Sequence, residues 1–301
     1  MTNRLPIGWH EAYEVDLGLH VFQTAKFRLV LDRLRDEGAL ERATLHRPEP
    51  ASREDIRLVH TPAWVDAFSA GDLTPSQRLQ LEVPWSAGLV EASMLCAGGT
   101  TLAARLAVEA GAAVHLGGGF HHAFADHGEG FCAINDVAVA VQALRRDRVI
   151  ERAIIIDLDV HHGNGTAAIF AGEPAVFTLS FHQERNYPWP RPPGDLDVGL
   201  EDGTRDEEYL ALLDRHLPAA LDAHRPDLAI YLAGADPYRE DQLGGLELTL
   251  EGLAARDDRV YEALAARDIP VAVCLAGGYA FDHADTVAIH AATARMALDR
   301  F

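Results

Sequence analysis

The chain has 301 residues, 48% hydrophobic and 24% charged, which supplies a sizeable core and argues against disorder. Its net charge of −20 repels phosphate backbones and argues against direct nucleic-acid binding. Cys96, Cys132 and Cys274 are far apart and make neither a disulfide framework nor a CxxC pair, which fits a reducing, cytoplasmic setting.

The N-terminus lacks the basic-then-apolar order of a secretory signal. No run of about 18 apolar residues is read, so no membrane span is expected. The stretch 24–38 has apolar residues at helical spacing and a closing glycine. A long helical pattern covers 87–110. Apolar runs of strand length then appear at 112–117, 153–158, 175–181, 227–233 and 270–276. Helical stretches near 135–146, 206–223, 249–267 and 282–299 alternate with them. Continuous apolar strands alternating with helices predict an α/β fold with a parallel sheet covered on both faces. The proline-rich stretch 182–204 reads as one long loop. No repeat or linker is visible, so 1–301 reads as one domain. The single lysine, Lys26, reads as compositional bias toward arginine.

In such folds ligands bind beyond the carboxyl ends of the strands. "VHLGGGFHH" puts His121 and His122 there, "IIIDLDVHH" puts Asp157, Asp159 and His161 there, and "YLAGADP" and "VCLAGGY" add Asp236 and Tyr279. In an extended chain Asp157, Asp159 and His161 share a face. Unpaired, these charges are costly to bury, and a divalent cation offsets that cost. Two carboxylates and one imidazole leave positions open, as catalytic zinc sites do, and would also accept iron or manganese. The alternative is an Asp–His hydrogen-bond network without metal. His121 and His122 could supply a general base for a metal-bound water, or could be ordinary polar residues in a tight turn. Gly117–Gly119 lack the spacing of a phosphate loop, and close backbone approach is the simpler reading. Tyr279, after Gly277 and Gly278, could donate to an oxyanion or be structural.

"GGGFHHAFADHGEGFCAIND", "DLDVHHGNG", "GAD" and "AGGY", in this order and spacing, resemble the histone deacetylases, and the resemblance covers nearly the whole chain. The segments "LHVFQTAKFRLVLDRL" and "DGTRDEEYL" are similar to the class IV type and its bacterial relatives, although "QT" stands where "PM" is expected. The resemblance implies the arginase–deacetylase fold, a single parallel sheet of about eight strands. It implies Asp159, His161 and Asp236 as ligands of Zn²⁺, with His122 as general base and His121 partnered by Asp157. Tyr279 resembles the tyrosine that polarises the scissile carbonyl. Gly130, Phe131, Tyr187 and Gly278 are implied as substrate contacts. A K⁺ or Na⁺ site is implied at Asp157, Asp159, His161, Ser180 and Phe181. Asn164 stands where class I members have an aspartate beside the second histidine. An amide carries no charge and stabilises imidazolium less, so a different pH profile is expected.

The implied activity is metal-assisted hydrolysis of an acyl-amine, first an acyl-lysine in a peptide or protein. The alternative is an acylated small amine such as a polyamine, for which Glu184 and Asp195 are the acidic rim candidates. A ureohydrolase of the same fold would need more metal ligands. A non-catalytic acyl-ligand binder is a further reading, and Asn164 leaves room for it. The sequence gives no oligomeric state. His10, His20, His60, His216, His224 and His290 read as surface or structural, His20 running near the pocket. Cys132 and Cys274 read as packed, inert thiols.

Overall fold

The computed structural model describes residues 4–301. Eight parallel strands form one sheet: β1 (Leu5–Gly8), β2 (Ala43–His46), β3 (Ala112–His115), β4 (Ala153–Asp157), β5 (Val176–Gln183), β6 (Leu196–Leu200), β7 (Leu228–Leu232) and β8 (Val271–Cys274). Their spatial order is β2-β1-β3-β8-β7-β4-β5-β6.

Successive side chains of a strand point to opposite faces, and here each face has its own core. Ile154, Ile156, Leu179, Phe181, Tyr231 and Val273 bury into one, beside the helices Lys26–Asp36, Asp206–His224, Leu250–Ala265 and His283–Arg300. Ala153, Ile155, Val176, Ile230, Ala272 and Cys274 bury into the other, beside Asp136–Arg146 and the second half of Ala87–Ala110. Burial on both faces is why these strands read as unbroken apolar runs, each large side chain contributing roughly 1.5–3 kcal/mol.

Two expectations are corrected. The stretch 182–204 is not one loop, because β5 runs on to Gln183 and β6 occupies Leu196–Leu200. The helix Ala87–Ala110 is long and apolar enough by composition to cross a membrane. In this fold half of its most apolar stretch is buried, and it packs against β3, β8 and the helix Asp136–Arg146. Its alanines and glycines let those neighbours approach closely.

Candidate active site

The four neighbouring strands β3, β8, β7 and β4 send their following loops to one edge of the sheet. After Asp157 the chain turns, so that Asp159 and His161 face Asp236 from the loop after β7. One ligand atom of each lies within 4.8 Å of the others. His161 Nδ1 stands 3.0 Å from Asp159 Oδ1 and 3.5 Å from Asp236 Oδ2. Asp159 Oδ2 accepts from the Gly277 N–H at 2.9 Å, and Asp236 Oδ1 from Val160 N–H at 2.9 Å. Asp236 Oδ2 is buried without a hydrogen bond. A Cβ at Gly277 would fall 2.0 Å from that oxygen and 2.4 Å from Asp159 Oδ2, so only glycine lets the backbone close over the carboxylates.

The charge of this cradle is unbalanced. Burial and the neighbouring Asp159 push Asp236 up to about 7. Burial alone would lower His161, but its contacts with Asp159 and Asp236 outweigh that and raise it to about 10. The buried orphan oxygen and the crowded carboxylates fit a divalent cation, which supplies the missing positive charge. An oxygen, oxygen and nitrogen donor set suits zinc, and iron or manganese as substitutes.

The histidine pair stands beside the cradle. His121 donates through Nδ1 to Asp157 Oδ2 at 2.7 Å. His122 donates through Nδ1 to Asn164 Oδ1 at 2.8 Å, and Asn164 Nδ2 donates to Glu129 Oε1 at 2.6 Å. The two Nε2 atoms are 3.1 Å apart. Burial lowers the pKa of both, but the carboxylates of Asp157 and Asp159 override it for His121, to about 9. His122 has no such partner, and burial with the nearby His121 and His161 holds it well below the usual imidazole range. Two adjacent imidazoles are thus driven apart, one toward acid and one toward base.

A cavity of about 250 Å³ joins these groups. Phe22, Phe131 and Tyr187 wall it, with His121, His122, Asp159, His161 and Tyr279 inside it, and Gly130 and Cys132 alongside. None of the hydrogen bonds among the described residues uses the Tyr279 hydroxyl. Burial and the carboxylates of Asp159 and Asp236 raise its pKa, so it is a neutral donor. Tyr187 lies 5.1 Å from the His122 ring, centroid to centroid. At Gly130 (φ 52°) a Cβ would come within 2.7 Å of His122 and 2.8 Å of the Tyr187 hydroxyl. Gly277 lines the cavity, whereas a Cβ at Gly278 would meet Ala235, Thr286 and His290 behind it. Neither Glu184 nor Asp195 is among the lining residues, and Asp195 is taken up by Thr178. Apart from Asp159, the acidic lining residue is Glu82. His20 bonds the Glu82 carbonyl at 3.0 Å and packs edge-on against Phe131.

Of the residues expected for a monovalent cation, Asp157 on β4 is in register with Ser180 on β5. Ser180 Oγ is hydrogen-bonded to His182 Nδ1, and the Phe181 side chain packs on the opposite face, leaving its backbone for such a role. His60, His224 and His290 are buried, and His10 caps a 3-10 turn through Ala12 N–H. Cys132 and Cys274 are buried, with thiol pKa values pushed up by burial.

Several supporting residues carry no local sequence signal. Lys26, read as compositional bias, is buried, donates to the Ala276 carbonyl at 2.7 Å and lies 5.4 Å from the Tyr279 ring. Asp241 accepts from the Tyr279 N–H at 2.6 Å. Asp136 accepts from Gly119 and Phe120 N–H, just before the histidine pair. Arg256 is fully buried and donates to the carbonyls of Gly234 and Leu158, at 2.6 and 3.3 Å. A lysine, an aspartate or an arginine away from the strand ends gives no warning of such contacts.

An α/β sheet that gathers a candidate metal cradle, a histidine pair and a phenol at its carboxyl edge has the layout of a hydrolase site. Residues 20–295 match the histone deacetylase domain, and the chain belongs to that family. It is 40% identical over 295 residues to an uncharacterized protein of Picosynechococcus sp., covering 98% of each. It is 33% identical to Histone deacetylase 2 of Arabidopsis thaliana, covering 90% of this chain and 72% of that one. The acetoin utilization protein AcuC of Bacillus subtilis is 32% identical, with 77% and 65% covered. The crystal structure of the HDA15 HD domain shares the fold, with a TM-score of 0.81 at 23% identity over 99% of this chain and 89% of that one.

Proposed function

We propose that the cavity hydrolyses the amide of an acyl-lysine in a peptide or protein, releasing a carboxylate and a free amine. The observation that carries this reading is the meeting of three features in one cavity: histidines of opposed acidity, the unbalanced cradle and a free phenol. A zinc ion held by Asp159, His161 and Asp236 would polarise the amide carbonyl and acidify a water. His122, neutral at Nε2, accepts the water proton as its oxygen attacks the carbonyl carbon. Tyr279 donates its phenolic hydrogen to the developing oxyanion. His121, protonated and held by Asp157, returns a proton to the nitrogen as the C–N bond breaks. Asn164 fixes the His122 ring without adding charge, and Asp241 fixes the backbone of Tyr279. The aromatic walls suit the apolar stem of an extended lysine. We also assign the backbone and side-chain oxygens around Asp157 and Ser180 to a K⁺ or Na⁺ ion, and place the protein in a reducing, cytoplasmic setting on its three free cysteines.

A second reading, an acylated polyamine, is favoured by Glu82, whose carboxylate would attract a further cation on the substrate. The test is turnover of fluorogenic acetyl-, longer acyl- and trifluoroacetyl-lysine peptides and of acetylated polyamines by zinc-loaded protein. Tyr279→Phe is expected to keep its metal and lose about 10²–10³ in kcat. Full activity in that variant would remove the phenol from the mechanism.

A further inference from the structure

A second cluster of ligand-type residues lies one step outward on the same sheet. Asp157, Ser180 and Asp197 are lateral neighbours in register across β4, β5 and β6, so their side chains share a face. His182, two residues beyond Ser180, shares it too. His162 comes from the loop after β4. Its Nε2 lies 3.2 Å from Asp197 Oδ1, and the His162 and His182 rings meet edge-to-face with centroids 4.7 Å apart. Ligand atoms of His162, His182 and Asp197 all fall within 4.8 Å of one another, the same closeness shown by Asp159, His161 and Asp236.

The donor atoms of this cluster are also held in place by their surroundings. His162 is 2% exposed, and Nε2 is the ring nitrogen that it turns toward Asp197. A small void of about 10 Å³ lies beside the cluster, lined by His162 and Asp197 but not by His182. His182 is held from behind: its Nδ1 bonds Ser180 Oγ at 3.0 Å, which orients the ring and leaves Nε2 as the ligand atom. Metal-binding histidines are commonly fixed through the other ring nitrogen in this way. Asp197 is fixed through its second oxygen by Gly194 N–H at 2.8 Å.

We propose that His162, His182 and Asp197 form a second divalent-cation site, separate from the one at Asp159, His161 and Asp236. Two imidazoles and one carboxylate suit zinc, cobalt or nickel, with a fourth position left for water. Such an ion would tie the edge strand β6 to β5 and to the loop that carries His161. The catalytic reading does not depend on it.

The experiment counts metal. Apo-protein is dialysed against excess Zn²⁺, and in parallel Co²⁺, and bound ion per chain is measured by elemental analysis. Wild type is expected to hold about two equivalents. His182→Gln and Asp197→Asn should each hold about one, Asp236→Asn about one, and Asp197→Asn with Asp236→Asn none. Asp197 lies at the partly open edge of the cluster, so its variant is expected to fold. A single equivalent in wild type, lost in Asp236→Asn and kept in Asp197→Asn, would overturn the second site and leave the first intact. A second equivalent that survives both His182→Gln and Asp197→Asn would place it elsewhere and also overturn the proposal.

Discussion

His122 meets an amide, not a carboxylate: its Nδ1 donates to Asn164 Oδ1 at 2.8 Å, while its neighbour His121 donates to Asp157. This difference sets which imidazole stays neutral. Asn164→Asp would add a negative charge beside His122, favour its protonated form and raise its pKa. An opposite charge at this distance shifts a group by about 1–3 units. The acid limb of the kcat/KM profile should therefore move to higher pH by about one unit or more. The new carboxylate would also face Glu129, which now accepts from Asn164 Nδ2, so Glu129→Gln should be combined with it. An unmoved acid limb in the double variant would show that His122 is not the base.

Arg256 is buried behind the cradle of Asp159, His161 and Asp236. Its guanidinium pins the carbonyls of Leu158 and Gly234, one and two residues before the proposed ligands Asp159 and Asp236. It is neutralised by Asp257, which also accepts from Tyr231 and Thr293 hydroxyls. Arg256→Met with Asp257→Asn removes the charge pair together and avoids an orphaned buried carboxylate. The expected result is a zinc affinity about 10–100-fold weaker, as for other residues that orient ligands. Competition against a chromophoric chelator measures it. Unchanged affinity would reduce Arg256 to a packing residue.

What the sequence made legible follows from where each signal lies. β3, β4, β5, β7 and β8 are buried on both faces and read as apolar runs. β1 is four residues long and contains Pro6, β2 is half exposed, and β6 is an edge strand with a buried–exposed pattern. None of them has a run to find. The candidate ligands, the histidine pair and Tyr279 stand out because strand ends collect at one edge. Arg256 and Leu158 are 98 residues apart, and Lys26 and Ala276 are 250 apart. Their contacts exist only once the sheet order β3-β8-β7-β4 is formed. Gly277 and Gly278 are equivalent in the sequence, and only the fold decides which one faces the cavity.

Metal uptake should carry protons with it. In the free cradle His161 holds a proton up to about pH 10 because Asp159 and Asp236 surround it. A ligating nitrogen must give that proton up. Calorimetric zinc titration at pH 7 in two buffers of different ionisation heat is expected to show release of at least one proton per ion. Affinity should fall as pH is lowered. Buffer-independent heats would mean that the cradle is already deprotonated and that another group balances its charge.

Buried neutral histidines make the fold sensitive to acid. His60 accepts from Asn135 N–H at 3.0 Å and is pushed down to about 4, mainly by burial. His115, enclosed between Tyr13 and Thr100, is pushed down to about 3 by burial. In the unfolded chain both return to about 6.5. Below that pH the unfolded state binds protons that the folded state refuses, so stability falls as pH falls from 6.5 toward 4 and 3. From pH 7 to pH 5 each site should cost about 2 kcal/mol. Urea unfolding at the two pH values measures the total. His60→Gln starts less stable, because Asn135 N–H loses its acceptor geometry, but its drop over the same interval should be smaller by about 2 kcal/mol. An equal drop in wild type and variant would mean that His60 is already open to protonation in the folded chain.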